Sequence, residues 1–185
     1  MLKAHPTPLP RSAGHASLRR LRASDLARFH SYRSDPAVGR FQGWSPMTPT
    51  EALAFIDEMA TADLLVPGQW AQVAIAKNST DELVGDIGLF VAEDGQSAEV
   101  GFTLHPAARG QGLATAAVHE AIRLLWEHTA VDRIIGVTDA RNTASVRVLE
   151  GVGMRRIASR ETVFKGEACT EWVYAIQRRA AAPRA

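Results

Sequence analysis

The sequence holds one cysteine, Cys169, in 185 residues, so no internal disulfide can form and no cysteine cluster can bind metal. A reducing compartment follows as the expectation. Lysine is scarce as well, 3 residues against 18 arginines, a bias that fits genome composition better than function. The formal net charge is only +1, without the basic excess that nucleic-acid binders carry, so no nucleic-acid partner is expected. No apolar run reaches membrane-spanning length, and prolines interrupt the first residues where a signal peptide needs an apolar core. These absences predict a soluble, cytoplasmic protein with no membrane partner. The six histidines show no metal-ligand spacing, so no metal is expected, and His105 before Pro106 reads as structural.

The chain does have an ordinary apolar fraction of 46% and a charged fraction of 22%. Its length suits one domain with a full-sized core. Residues 1–16, rich in Pro, Ala and His, and residues 179–185 read as flexible tails around one domain over 17–178. Neither a linker nor a repeat interrupts that domain.

The first strand is expected over 17–21. Ser24 or Asp25 then caps a helix running to Ser34, stopped by Asp35-Pro36. The stretch 39–46 is loop-like but aromatic. Thr48 caps a second helix with Pro49 at its first position and Glu51 three residues on, and Leu53, Ile56 and Met59 recur at helical spacing. Alternating patterns predict strands over 70–76, 83–92 and 98–104, joined by short polar turns as an antiparallel meander. A helix over 113–128 follows, with Leu113, Ala117, Ala121, Leu124 and Leu125 near one face. Then come a strand over 133–138, a helix over 142–151, and two strands over 155–164 and 169–177 joined at Lys165-Gly166. Trp70, Trp126 and Trp172 fall within these elements and read as core. The order implies an α/β (α+β) fold with a mixed sheet flanked by helices.

The chemistry concentrates where a strand meets a helix through Arg109-Gly-Gln-Gly-Leu-Ala114. Glycine permits positive φ and close approach to a ligand. The helix start offers unpaired N–H groups and a partial positive charge, which suits an anion. Arg109 either adds a charge-assisted contact or closes the turn. A P-loop needs a Lys-Ser/Thr pair after the last glycine, but Leu113-Ala114 stands there. A dinucleotide fingerprint needs glycine where Thr115 stands, and a parallel βαβ unit rather than a preceding meander. The remaining pattern, Arg/Gln-x-x-Gly-x-Gly/Ala, is matched outright.

That pattern resembles the central motif of the GCN5-related N-acetyltransferases (GNAT). About thirty residues later, Asn142-Thr-Ala-Ser145, in a helix followed by Gly153-Met154, looks like the Asn-x-x-Ser helix of the RimJ/RimL-like branch. The order of elements agrees, so the resemblance spans roughly 17–178. It implies the acyl-CoA N-acyltransferase fold, with a central mixed sheet splayed between the strands over 99–104 and 133–138. It also implies a bulge in the first of these, consistent with Gly101 inside it. Acetyl-CoA is the implied co-substrate, with Phe102, Thr103, Leu104, Arg109, Gly110, Gln111, Gly112, Leu113, Ala114, Thr115, Asn142 and Ser145 around it. Backbone N–H groups of Gly110, Gly112, Leu113 and Ala114 would meet the pyrophosphate.

The same resemblance assigns Glu99 as the base that deprotonates the amine, against the plain alternative of a solvated glutamate. Many relatives place a tyrosine acid seven residues after the motif asparagine, where this chain has Leu149. Ser145 is the implied replacement, donating to the CoA sulfur. Asn142 can instead simply cap its helix. Phe41 and Trp44 lie where relatives build the acceptor pocket, or else anchor the loop. The acceptor is expected to be a protein N-terminal amine or a small-molecule amine such as an aminoglycoside or polyamine. A CoA-binding regulatory domain without turnover is the rival. A monomer or a homodimer fits equally.

Overall fold

A short hairpin of β1 (Arg11–Ala13) and β2 (Ala16–Arg19) opens the computed structural model, which describes residues 8–178. A 3-10 turn leads into α1 (Leu26–Arg33), α2 (Pro36–Gly39) and α3 (Pro49–Thr61). The meander β3 (Trp70–Lys77), β4 (Leu83–Val91) and β5 (Ser97–Leu104) follows, then α4 (Leu113–His128), β6 (Arg133–Asp139) and α5 (Thr143–Gly151). The hairpin β7 (Arg155–Phe164) and β8 (Glu167–Gln177) completes the fold. All eight strands form one mixed sheet in the order β1-β2-β3-β4-β5-β6-β8-β7, parallel only between β5 and β6.

Local signals place several boundaries. Thr48 and Glu51 form the expected reciprocal cap of α3, which satisfies two N–H groups that would otherwise lack partners. On α4, Leu113, Ala117, Ala121, Leu124 and Leu125 are all buried, so its apolar stripe faces the sheet as the spacing requires. Three expectations are corrected. Residues 11–16 are not a loose tail, because β1 pairs with β2 and Arg11 bridges to Glu120 and Glu127 of α4. Residues 1–7 and 179–185 lie outside the described residues. Asp25 precedes α1 without a side-chain capping bond, because two hydrogen bonds of 2.8 Å from Arg19 hold its carboxylate. Trp70 is 47% exposed: it is the first residue of β3 and leans on Phe90 at 5.3 Å instead of entering the core.

Helices α4 and α5 cover one face of the sheet. Gly136 lets α5 approach β6, since a Cβ there would stand 2.6 Å from Leu149 Cδ2. The helices α1 and α3 cover the other face over a second cluster that includes Phe29, Tyr32, Ile56 and Ala74. Beneath α1 lies Asp86, fully buried on β4. It accepts hydrogen bonds from Tyr32 Oη at 2.8 Å, from Arg33 Nη2 at 2.8 Å and from Gln72 Nε2 at 2.9 Å. Burial, with the Asp86 charge beside it, drives the Tyr32 hydroxyl well above its ordinary pKa. Removing one partner of such a pair leaves an uncompensated buried charge. Asp86→Ala should therefore cost about 3–5 kcal/mol in urea denaturation; a loss below about 1 kcal/mol would show that water reaches Arg33 freely.

Candidate active site

Strands β5 and β6 pair only through Ser97 with Arg133, Ala98 with Ile134, and Glu99 with Ile135. Beyond these pairs β5 runs on to Leu104 and β6 to Asp139 without meeting, and a wedge opens between them. The expected bulge at Gly101 is absent: β4 and β5 keep an unbroken register past Gly88 and Gly101. The opening comes from divergence of β6, not from an extra residue in β5. Strand backbone facing a wedge has lost its ladder partners and needs others. One replacement is visible, Gln42 Nε2 donating to the Phe102 carbonyl at 3.4 Å.

A cavity of about 420 Å³ occupies the mouth of the wedge. Phe102, Thr103 and Leu104 line it from β5, and Arg109, Gly110, Gly112, Leu113, Ala114 and Thr115 line it from the turn and first residues of α4. Gly110 and Gly112 sit at φ +76° and +73°, and a Cβ at either would meet nothing within 4 Å. The turn therefore presents bare backbone to open space. Gly112 is the N-cap of α4 and supplies no side-chain capping bond. The first N–H groups of a 16-residue helix are thus free to bind an anion there. Gln111 departs from the expectation, since its side chain turns back to donate to the Ala107 carbonyl at 3.1 Å and does not line the cavity.

The far wall is α5. Asn142 caps it, its Oδ1 accepting from Ser145 N at 3.3 Å, and also lines the cavity, so the cap does not draw it out of that wall. Ser145 lines the cavity, and its hydroxyl makes no hydrogen bond among the described residues. Leu149 is buried in the core against Gly136, away from the cavity. Ala144, Arg147 and Val148 also line the wall; the sequence reading did not single them out, although Arg147 and Val148 lie within one turn of Ser145.

Glu99 stands where the wedge closes, on the last paired residue of β5, outside the cavity lining. It is half-buried and has no hydrogen bond or ion pair among the described residues. Burial, and secondarily the charge of Glu171, raises its pKa above the ordinary carboxylate value. Asp139, at the other end of β6, differs: Arg141 hydrogen-bonds it at 2.7 Å and holds it below the ordinary range. Of these two carboxylates only Glu99 lacks a side-chain partner among the described residues.

Phe41 and Trp44 separate in role. Phe41 lines the cavity, with the Arg141 guanidinium 5.7 Å from its ring. Trp44 does not; its ring lies 4.7 Å from Arg33, and its Nε1 donates to Thr103 Oγ1 at 3.4 Å. It anchors the segment that carries Phe41. His105 Nδ1 accepts from Ala107 N at 3.1 Å, in keeping with a structural role.

A family model described as an acetyltransferase (GNAT) domain matches residues 16–155. An uncharacterized N-acetyltransferase p20 of Bacillus licheniformis is 26% identical over 141 residues, 76% of this chain and 79% of the relative. A GNAT-family acetyltransferase from Bacillus anthracis superposes with a TM-score of 0.81 at 23% identity, covering 91% of this chain and 98% of that one. RimL, a ribosomal L7/L12 α-N-protein acetyltransferase solved with coenzyme A, superposes with a TM-score of 0.75 at 14% identity, covering 90% and 96%. At such identities the two structures speak for the fold.

The glycine turn yields a test. Gly112→Ala should cost about 1–2 kcal/mol in denaturation, because its φ is left-handed. Calorimetry should also show CoA affinity falling about tenfold, or about 1.4 kcal/mol. Unchanged affinity would move the anion away from this backbone.

Proposed function

Because this chain belongs to the GNAT acetyltransferase family and is an acetyl-CoA-dependent N-acetyltransferase, we propose that its acceptor is the free N-terminal α-amine of a peptide or protein. The residues present suit the co-substrate. An exposed helix start and two left-handed glycines accommodate a pyrophosphate, and a wedge lined by unpaired strand backbone accommodates an amide-bearing arm. When bound, acetyl-CoA supplies an acetyl group activated as a thioester.

The chain's own groups account for the rest. An amine attacks only when neutral, and an α-amine with a reference pKa of about 7.7–8.0 is neutral far more often than an alkylamine at about 10.4. Glu99, directly or through one water, takes the surplus proton. Its raised pKa makes it a stronger base than a solvated carboxylate, and one better matched to the more acidic of the two ammonium types. The Ser145 hydroxyl, free and on the cavity wall, donates to the departing sulfur. A thiol reference pKa of about 8.5 means that this donation assists departure without being indispensable. Phe41 shapes the side by which the amine arrives.

The observation that carries this reading is Glu99 itself, a half-buried carboxylate without a partner at the closed end of the wedge. Glu171 favours a second reading, since two carboxylates that sense each other suit a small polyamine. Acetylation of a tripeptide amide and of spermidine, followed by thiol release, separates the two. The α-amine reading predicts a clearly higher kcat/KM for the peptide, and preference for spermidine overturns it. Glu99→Gln should lower the rate about 10²–10⁴-fold near pH 6.5. The loss should shrink towards pH 9.5, where the amine is already neutral. CoA affinity should stay near wild type, and a pH–rate profile superposing on wild type would remove Glu99 as the base.

A further inference from the structure

The wedge divides the sheet into two halves that share only three residue pairs at its closed end. At the open end a single side chain among the described residues crosses from one half to the other with hydrogen bonds. Lys165, in the turn between β7 and β8, donates from Nζ to the Gly39 carbonyl at 2.9 Å and to the Trp44 carbonyl at 2.7 Å. Both acceptors belong to the segment that carries Phe41 into the cavity. Among the described residues the lysine has no carboxylate partner; beside the two carbonyls, the Phe164 and Trp44 rings lie 5.7 Å and 6.0 Å from Nζ.

The lysine is also costly where it stands. Lys165 and Gly166 take φ of +50° and +81°. A two-residue hairpin turn with two left-handed residues favours asparagine or glycine at its first position. A lysine there tolerates backbone strain of the kind that marks functional positions. Its side chain, not its backbone preference, accounts for its presence. The other tie between the halves at this end is Arg141, held by Asp139 and 5.7 Å from the Phe41 ring.

We propose that Lys165 is a specificity-determining residue that straps the open end of the wedge into a tunnel and so limits the girth of the amine reaching Glu99. It acts through the Gly39 and Trp44 carbonyls, as a positioning residue, and rests on the wedge being where acetyl transfer occurs. A strap of this kind admits a narrow α-amine and turns away one carrying a broad side chain next to the nitrogen.

The test needs no turnover. Two conjugates, in which the CoA sulfur is joined through an acetyl spacer to glycinamide or to tryptophanamide, are titrated calorimetrically, alongside CoA alone. The proteins are wild type, Lys165→Met, which keeps the stem without the donor, and Lys165→Arg, which keeps a donor. Wild type should bind the tryptophanamide conjugate about tenfold or more weakly than the glycinamide conjugate, within the range that pocket fit allows. Lys165→Met should bring the two within about threefold, Lys165→Arg should keep the wild-type ratio, and CoA alone should bind all three proteins alike. An equal ratio in wild type and Lys165→Met, or no discrimination in wild type, overturns the strap while leaving the acetyltransferase reading intact. Failure of wild type to bind CoA would instead overturn the reading beneath it. A merely structural role would weaken both conjugates and CoA together.

Discussion

Two parallel strands that stop pairing partway leave backbone donors and acceptors facing each other across a space too wide for a hydrogen bond. Buried groups of that kind must find other partners or destabilise the fold. Here β5 and β6 share three residue pairs and then diverge, and everything that defines the site is arranged around that divergence. The glycine turn and α4 begin just past the end of β5. The short helix α5 begins just past the end of β6, which puts the helix start and Ser145 on opposite sides of one opening. Glu99 marks the point where pairing ceases. The sheet is left incomplete at the end where the helix N-terminus also lies.

The rest of the structure holds that opening in shape. Asp86 ties α1 to β4, and Arg33, fixed by Asp86, lies against the Trp44 ring. Arg33 also accepts, through its carbonyl, from Met47 N at 3.1 Å. A buried ion pair is weak evidence for net stability, because its desolvation offsets much of its attraction. Its value here is geometric: it fixes where residues 40–48 pass over β5, and hence where Phe41 meets the cavity. Buried polar contacts of this sort define one arrangement sharply even when they contribute little free energy.

How far the sequence disclosed this depended on whether the signal was local. The cap at Thr48 and Glu51, the 16-residue span of α4 and the glycine turn are each written within a few consecutive residues, and each appears where the pattern places it. The parting of β5 and β6 is a relation between strands some thirty residues apart, and nothing within either strand encodes it. Gly101 suggested a bulge, yet the register through it is regular. The first strand of the opening hairpin escapes the pattern because Arg-Ser-Ala carries no strand signal of its own; its pairing and an ion pair to α4 hold it. Sequence pattern alone marks Lys165 only as a turn residue, since a side chain's reach across a cleft is a property of the folded chain.

The Arg11 bridge has a practical meaning for anyone shortening this protein. Glu120 is 5% exposed and receives Arg11 on one side and Arg123 on the other. Trimming the chain back to residue 17, where sequence pattern alone would set the domain's edge, would take away the first of these cations along with a strand. It would leave a carboxylate in the middle of α4, the same helix whose opposite end presents its N–H groups to the cavity. The natural border of the folding unit therefore lies upstream of β1, and fusions or tags belong before Leu9, which is itself buried.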